Sequence, residues 1–256
     1  MIRALIILIL TALPCAAQQT GLETIVAGLS RNAVSITANF NGSEILIYGA
    51  VKRETPAPDG PPLEVIVTVE GPAAQQIVRR KDRRFGIWIN NAAVTVDSAP
   101  TFYAISASGP LNAILSQTED LRHRISVPRV VRAIGTTAEA EGAPEFLDAM
   151  LRIRAEEGRY RLAEGAVELV EDTLFRADVD LPANLTEGQY MVRIYLTRDG
   201  QVIDWLASPI DVRKAGLERW LFALAHSQPL IYGLLSLVLA VGAGWGASAG
   251  FQLLRR

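Results

Sequence analysis

From Leu230 to Leu254 the chain runs for 25 residues without a charged side chain. As a helix rising about 1.5 Å per residue this run is about 37 Å long, enough to cross a hydrocarbon core of about 30 Å with some tilt. Its second half, GAGWGASAG from Gly242 to Gly250, also spells G-x-G-x-x-A, the small-residue spacing of a dinucleotide-binding turn. Such a turn needs a short strand before it, a helix after it and an acidic residue about 20 positions on. Here the preceding Leu230–Val241 stretch holds no charge and no turn pair, and no acidic residue follows. The segment therefore reads as a transmembrane helix. Gly242, Gly246 and Gly250 lie four apart on one stripe, which Ala243 and Ala247 widen. Small residues in a row let another helix backbone approach closely in lipid, so the stripe is a candidate packing surface for a partner helix or a second copy.

The other end carries a shorter apolar run. Met1-Ile-Arg3 is a basic start, Ala4 to Leu13 is apolar, and Pro14-Cys-Ala-Ala17 is a small-residue exit. This is the layout of a secretory signal peptide, with cleavage expected after Ala17. Cys15, the one cysteine of the chain, would leave with it, because Pro14 suits lipoprotein processing poorly. A cysteine-free exported chain fits a bacterial periplasm better than a disulfide-stapled ectodomain. The expected layout is a signal peptide at 1–17, a periplasmic β-sandwich unit at 18–137 and a second, α+β, sandwich-like unit at 138–215. A juxtamembrane helix at 216–229, the inner-membrane span at 230–254 and a cytoplasmic tail at 255–256 complete it. Arg255 and Arg256 agree with the positive-inside preference, which Arg213, Lys214 and Arg219 on the outer flank oppose mildly.

Charge divides unevenly over the exported part. Residues 18–137 carry 12 basic and 10 acidic side chains, and residues 138–229 carry 10 and 17. Neither stretch has the clustered basic face of a nucleic-acid binder. The first reads as short strands. Ile36, Ala38 and Phe40 alternate with polar neighbours, and Asn41-Gly42 suggests a hairpin turn into Glu44–Tyr48. Leu63, Val65, Val67 and Val69 alternate with Glu64, Ile66, Thr68 and Glu70, a strand with one buried face. Further strands are expected at Gln76–Arg79, Phe85–Asn90, Ala93–Asp97 and Thr101–Ser106, then a helical patch around Leu111–Leu121. The second stretch opens with a helix from Pro144, whose face is Phe146, Leu147, Met150, Leu151 and Ile153, and Gly158 ends it. Alternation then marks strands at Leu174–Leu181 and Tyr190–Thr197, and Asp199-Gly200 turns the chain into Gln201–Ala207. The fold class that results is mainly β: antiparallel immunoglobulin-like β-sandwich units with a few short helices, plus one C-terminal transmembrane helix.

Catalysis needs convergent groups, and the sequence offers none. His123 sits between Arg122 and Arg124, and His226 lies in the last turn before the span. Neither has partners at zinc-ligand spacing, so they read as a surface and an interfacial histidine. There is no G-x-S-x-G elbow and no thiol after processing. Glu156 and Glu157 are adjacent on a helix and point about 100° apart, so they make no dyad. No enzyme activity, metal or cofactor is expected. The strongest chemical feature is Arg79-Arg80-Lys81-Asp82-Arg83-Arg84, five cations in six residues between two apolar strands. Its bland reading is a solvated hairpin tip that resists edge-to-edge pairing. Its sharper reading is a contact for an anion, anionic lipid headgroups or an acidic partner, within reach of screening. Trp88 beside it, in mid-strand, reads as a core residue.

Several phrases carry a resemblance: FNGSEILIYGAV, RRKDRRFGIWIN, APTFYAISASGPL, LFRADVDLPANLTEGQYMVRIYLTRDG and PLIYGLLSLVLAVGAGWGASAGFQLLRR. They resemble the alphaproteobacterial transmembrane family of unknown function, exported proteins with one C-terminal span, over nearly the whole chain. The resemblance implies no catalytic residues. Genes of that family lie beside sulfite-exporter-type permeases, which implies a permease as partner. The expected function is a membrane-anchored periplasmic accessory or scaffold protein that binds another envelope protein. The alternative is an anion- or solute-binding subunit of a permease.

Overall fold

The computed structural model describes residues 23–37, 40–56, 60–131, 142–214 and 217–254. The expected signal peptide, Cys15 and the expected tail at 255–256 lie outside the described residues. Twelve strands are described: β1 Thr24–Leu29, β2 Ala33–Ile36, β3 Ser43–Lys52, β4 Glu64–Glu70, β5 Ala73–Arg84, β6 Ile87–Pro100, β7 Tyr103–Ala107, β8 Tyr160–Glu164, β9 Val167–Val170, β10 Leu174–Leu181, β11 Gly188–Arg198 and β12 Gln201–Lys214. The helices are α1 Leu111–Ile114, α2 Gln117–His123, α3 Val127–Val130, α4 Ala143–Glu156, α5 Leu217–Ser227 and α6 Pro229–Leu254. A four-stranded sheet runs β1-β3-β10-β9 and a six-stranded sheet runs β2-β12-β11-β4-β7-β8, while β5 and β6 form a ribbon of their own.

The two sheets face each other across one apolar core. Ile45, Ile47, Phe175, Ala177, Val179 and Leu181 enter it from the four-stranded sheet, and Val65, Val67, Val69, Val192, Ile194 and Leu196 from the other. Period-two alternation produces this directly: β10 buries every second residue, Phe175 to Leu181, and exposes the rest. Gly49 is fixed by the same packing. A Cβ there would sit 2.5 Å from the Phe175 ring and 2.6 Å from the Val26 carbonyl oxygen.

Several expectations change. The strands before and after residue 138 interleave in both sheets, β3 beside β10 and β4 beside β11, so the stretches 18–137 and 138–215 share one sandwich. The Asn41-Gly42 hairpin does not form. β2 pairs in parallel with β12 while β3 pairs with β1 and β10, so the chain crosses between sheets there. β4 is buried on both faces, because a second apolar cluster covers the outer face of the six-stranded sheet. Ile66, Tyr103, Ile105 and Tyr195 meet Ile114, Leu115, Ile125 and Met150 in it. Two pairs are parallel, β2 with β12 and β7 with β8, against the antiparallel expectation. The strands expected at 76–79, 85–90 and 93–97 are parts of one long ribbon, turned at Phe85-Gly86, where both φ are positive (51° and 84°). The Asp199-Gly200 turn is as expected, with φ of 52° and 73°. Such values suit the two-residue turns whose twist matches paired strands.

Helix α6 is long and apolar enough to cross a membrane, and its stretch Pro229–Ser248 is not buried in the rest of the protein. An unburied helix that is apolar all round belongs in lipid.

Gly49→Ala should destabilise the sandwich by about 1–3 kcal/mol, as overpacking does. Thermal melting followed by circular dichroism checks it, with Gly109→Ala, whose added Cβ would make only an ordinary contact, 3.4 Å from Ile114 Cγ2, as the comparison.

Candidate functional site

Three surfaces gather chemistry. The first is the β5–β6 ribbon, which carries all five sequence-predicted cations. They divide between its faces. Arg80 stacks over the Phe146 ring of α4, 5.6 Å from its centroid, and lies 3.8 Å from Glu145. Arg84 lies 3.6 Å from Asp82. Arg79, Lys81 and Arg83 take the alternate, exposed positions of β5, and Arg79 and Lys81 also border the groove between the ribbon and α4. Trp88 is not in the core: it is 68% exposed, opposite Arg83. Among the described residues nothing covers Trp88 on that side, so mid-strand position did not imply burial.

The second is a cleft of about 260 Å³ on the outer face of the six-stranded sheet, lined by Glu70, Arg122, His123, Arg124, Arg193, Tyr195 and Trp205 among others. Sequence reasoning missed it because its walls come from β4, α2, β11 and β12. Helix α2 is locally coded, since Ser116-Gln-Thr-Glu119 is a capping-box pattern and the Ser116 hydroxyl accepts from the Glu119 N–H at 3.4 Å. Glu119 is buried, accepts from Arg122 at 2.7 Å and lies 3.3 Å from His123 Nε2. His123 is thereby drawn partly into the protein, edge-on to the Tyr195 ring at 5.6 Å, where a surface histidine was expected. Arg124 ends the helix in the left-handed region, φ 54°. Asp120 holds the next turn by accepting from the Ile125 and Ser126 N–H groups at 3.1 and 2.7 Å.

The floor of the cleft is a half-buried ion pair, Glu70 with Arg193, beside the Tyr195 phenol. Burial works against the Arg193 charge, but Glu70 beside it and the hydrogen bond between them outweigh that, so its pKa is raised. Desolvation raises the phenols of Tyr195 and Tyr103, opposed in both by Arg193. The Tyr103 hydroxyl donates to the Ile125 carbonyl at 2.7 Å, tying the cleft rim to the sheet. Behind it Tyr160, pushed up to about 12 by burial, donates to the Pro100 carbonyl at 2.8 Å.

The third surface is the solvent face of the four-stranded sheet. Strand register lines up Val26, Ala50, Leu174 and Val170 in one row across all four strands. Its three large side chains are 55–58% exposed, and Tyr48 in the next row is 50% exposed. Arg176, Asp178, Glu168 and Glu44 occupy the rest of that face.

The remaining candidates are simple. His226 Nδ1 lies 3.0 Å from the Phe222 carbonyl oxygen and its ring stacks on Phe222. Glu157 pairs with Arg154 and Arg159, at 3.3 and 3.2 Å, and Glu156 is exposed. In α6 an added Cβ at Gly242 or Gly246 would meet nothing within 4 Å. Among the described residues no group of three or more histidine, cysteine, aspartate or glutamate side chains could hold a metal ion.

A family model described as "Putative transmembrane protein (Alph_Pro_TM)" matches residues 24–253, the sandwich and the apolar helix together. The chain belongs to this family. No curated protein matches it. Among solved structures it is similar to Spo0M, the sporulation control protein from Bacillus subtilis, at 12% identity and a TM-score of 0.28. The match covers 80% of this chain and 56% of that one. A TM-score of that size does not establish a shared fold. For this family member the tyrosines set an alkaline limit. The unfolded chain ionises its phenols near pH 10, while folded Tyr160 keeps its proton to about 12. Above about pH 10 the unfolded form therefore binds fewer protons, so the stability that is fully present below that pH should fall as pH rises toward about 12. Melting temperatures across pH 8 to 12, compared with those of Tyr160→Phe, check the sign.

Proposed function

We propose that this family member is an exported, inner-membrane-anchored accessory protein whose periplasmic sandwich docks another envelope protein, a sulfite-exporter-type permease being the leading partner. It acts by binding rather than catalysis. The observation that supports this reading is the apolar row Val26–Ala50–Leu174–Val170. A solvated antiparallel sheet face normally alternates to polar residues, and a contiguous apolar patch across four strands marks an interaction surface. The helix supplies the second contact, with Gly242, Gly246 and Gly250 as the stripe against which a permease helix or a second copy packs. Removal of a signal peptide after Ala17 places the sandwich in the periplasm.

Leu174→Glu should leave folding intact, since that side chain is already half in water, and should abolish recovery of the permease with the full chain from detergent-solubilised membranes. Equal recovery with Leu174→Glu and with Glu44→Gln, a change in the charged rows of the same face, would refute the docking surface.

The cleft favours a second reading, an anion-binding subunit of the permease. Arg122, Arg124 and Arg193 line it with half-buried Glu70 as the one carboxylate among the lining residues, and Trp205 supplies a flat wall. Arg193 pairs with Glu70 and Arg122 with Glu119, which leaves Arg124 as the cation there without a carboxylate partner among the described residues. A ligand at a hundred times its Kd would add about 2.7 kcal/mol. Sulfate or sulfite should then raise the melting temperature of the wild type and not that of Arg124→Gln; no shift in either removes this reading.

A further inference from the structure

The β5–β6 ribbon ends in a combination that neither folding nor solubility requires. Its two-residue turn places Phe85 at φ 51°, a region that costs an ordinary side chain about 1–2 kcal/mol and that Asn, Asp or Gly would occupy more easily. Phe85 is fully exposed there, followed by exposed Ile87 and Trp88. A bulky residue held in the left-handed region and packed against nothing is a constraint that stability does not explain.

The faces of the ribbon differ in the same sense. On the face toward α4, Gln76 accepts from Arg154 at 3.0 Å, Val78 joins the second apolar cluster and Arg80 covers Phe146. On the other face lie Ile77, Arg79, Lys81 and Arg83, with Trp88 opposite Arg83. No carboxylate among the described residues pairs with Arg79, Lys81 or Arg83. That face is aliphatic and aromatic side chains interleaved with unpaired cations, the composition that seats an element in the interface of an anionic bilayer.

Topology supplies the bilayer. β4 and β12 both run antiparallel to β11, so they are parallel to each other and finish at the same end of the sheet. From that end β4 leads through Gly71-Pro72 into the ribbon, and β12 leads through α5 into the apolar helix α6. A strand of 12 residues at about 3.3 Å per residue spans about 40 Å. The base of the ribbon and the segment that leads to the membrane helix thus lie at the same end of the six-stranded sheet.

We propose that the ribbon is a second membrane contact. Ile77, Arg79, Lys81, Arg83 and Trp88 dock on anionic headgroups of the bilayer that α6 crosses, and Phe85 inserts at the tip. The cations supply attraction of about 1 kcal/mol each at an anionic surface, and the apolar side chains supply depth. This goes beyond the docking of an envelope protein and does not depend on it.

The test uses the full chain in nanodiscs of phosphatidylcholine, or of phosphatidylcholine and phosphatidylglycerol in equal parts, with no other protein present. Replacing Trp205, Trp220 and Trp245 by Phe leaves Trp88 as the emitter. Its emission should shift to the blue and be quenched by brominated lipid in the anionic discs. Both effects should be lost in Arg79→Gln/Lys81→Gln/Arg83→Gln and weakened by salt. Should the Trp replacements disturb the fold, the difference in quenching between the wild type and Trp88→Phe gives the same readout. Trp88 emission that stays red and unquenched in anionic discs overturns the proposal and assigns the ribbon to a protein partner or to solvent. Quenching that is equal in both lipids and survives loss of the cations overturns the role of charge.

Discussion

The central pair β4–β11 has to be covered on both faces, and most of the architecture answers that demand. Val65, Val67 and Val69 face the four-stranded sheet, while Ile66 and Thr68 on the opposite side are equally dry. A strand pair with two buried faces cannot keep water on either side, so a second layer is needed outside the six-stranded sheet. The segment from Leu111 to Val131, helix α4 and the base of the ribbon form it. The cleft is where this layer fails to close over Glu70, Arg193 and Tyr195, leaving polar groups of the sheet facing a partly dry space.

Polar ties hold the layers in register. Glu23, only 4% exposed, lies between Arg53 at 2.6 Å, just past β3, and Arg198 at 2.8 Å, at the end of β11. One carboxylate thus connects the two sheets. The Ile25 N–H, on the four-stranded sheet, donates to Asp204 of the six-stranded sheet at 2.8 Å. On the other side Tyr103 and Tyr160 use hydroxyls to fasten the Ile125 rim and the Pro100 end of β6. A buried carboxylate with two guanidinium partners is costly to break, about 3–5 kcal/mol when one partner of a buried pair is lost. The ties therefore specify how the layers stack more than they add to stability.

Elements with strong local codes were legible in the sequence. β10 alternates without interruption, β11 and β12 flank an Asp-Gly turn, α4 shows its Phe146–Met150 stripe, and α6 is uncharged. What could not be read was set by distant partners. Asn41-Gly42 has the chemistry of a hairpin, yet β3 finds β1 and β10 instead, because those strands bury Ile45 and Ile47 on the correct face. Alternation in Leu63–Glu70 suggested one wet face, since Thr68 carries no mark of the layer that covers it. Trp88 was read from its mid-strand position, when the absence of a covering layer decides its exposure. The cations at 79–84 were evident, but their division into a paired and an unpaired face depends on α4. The cleft left only the Ser116–Glu119 cap as a local trace.

The sandwich has two unlike ends, and the strand directions show why this matters. β12 begins beside Arg198 and the Glu23 tie, and it finishes at Lys214, from where the chain continues to the membrane helix. The row Val26–Ala50–Leu174–Val170 lies toward the first end, since Ile25 is bonded to Asp204 and Glu23 to Arg198. The ribbon departs from the second. A protein tethered by one helix can rotate and tilt freely, and a partner that docks at its far end would meet a poorly oriented surface. A basic, aromatic arm that leaves from the membrane end and rests on the same bilayer would remove much of that freedom. For the docking proposed above, the ordering cost would then be met before a partner arrives, which is how pre-organisation raises affinity without adding a contact.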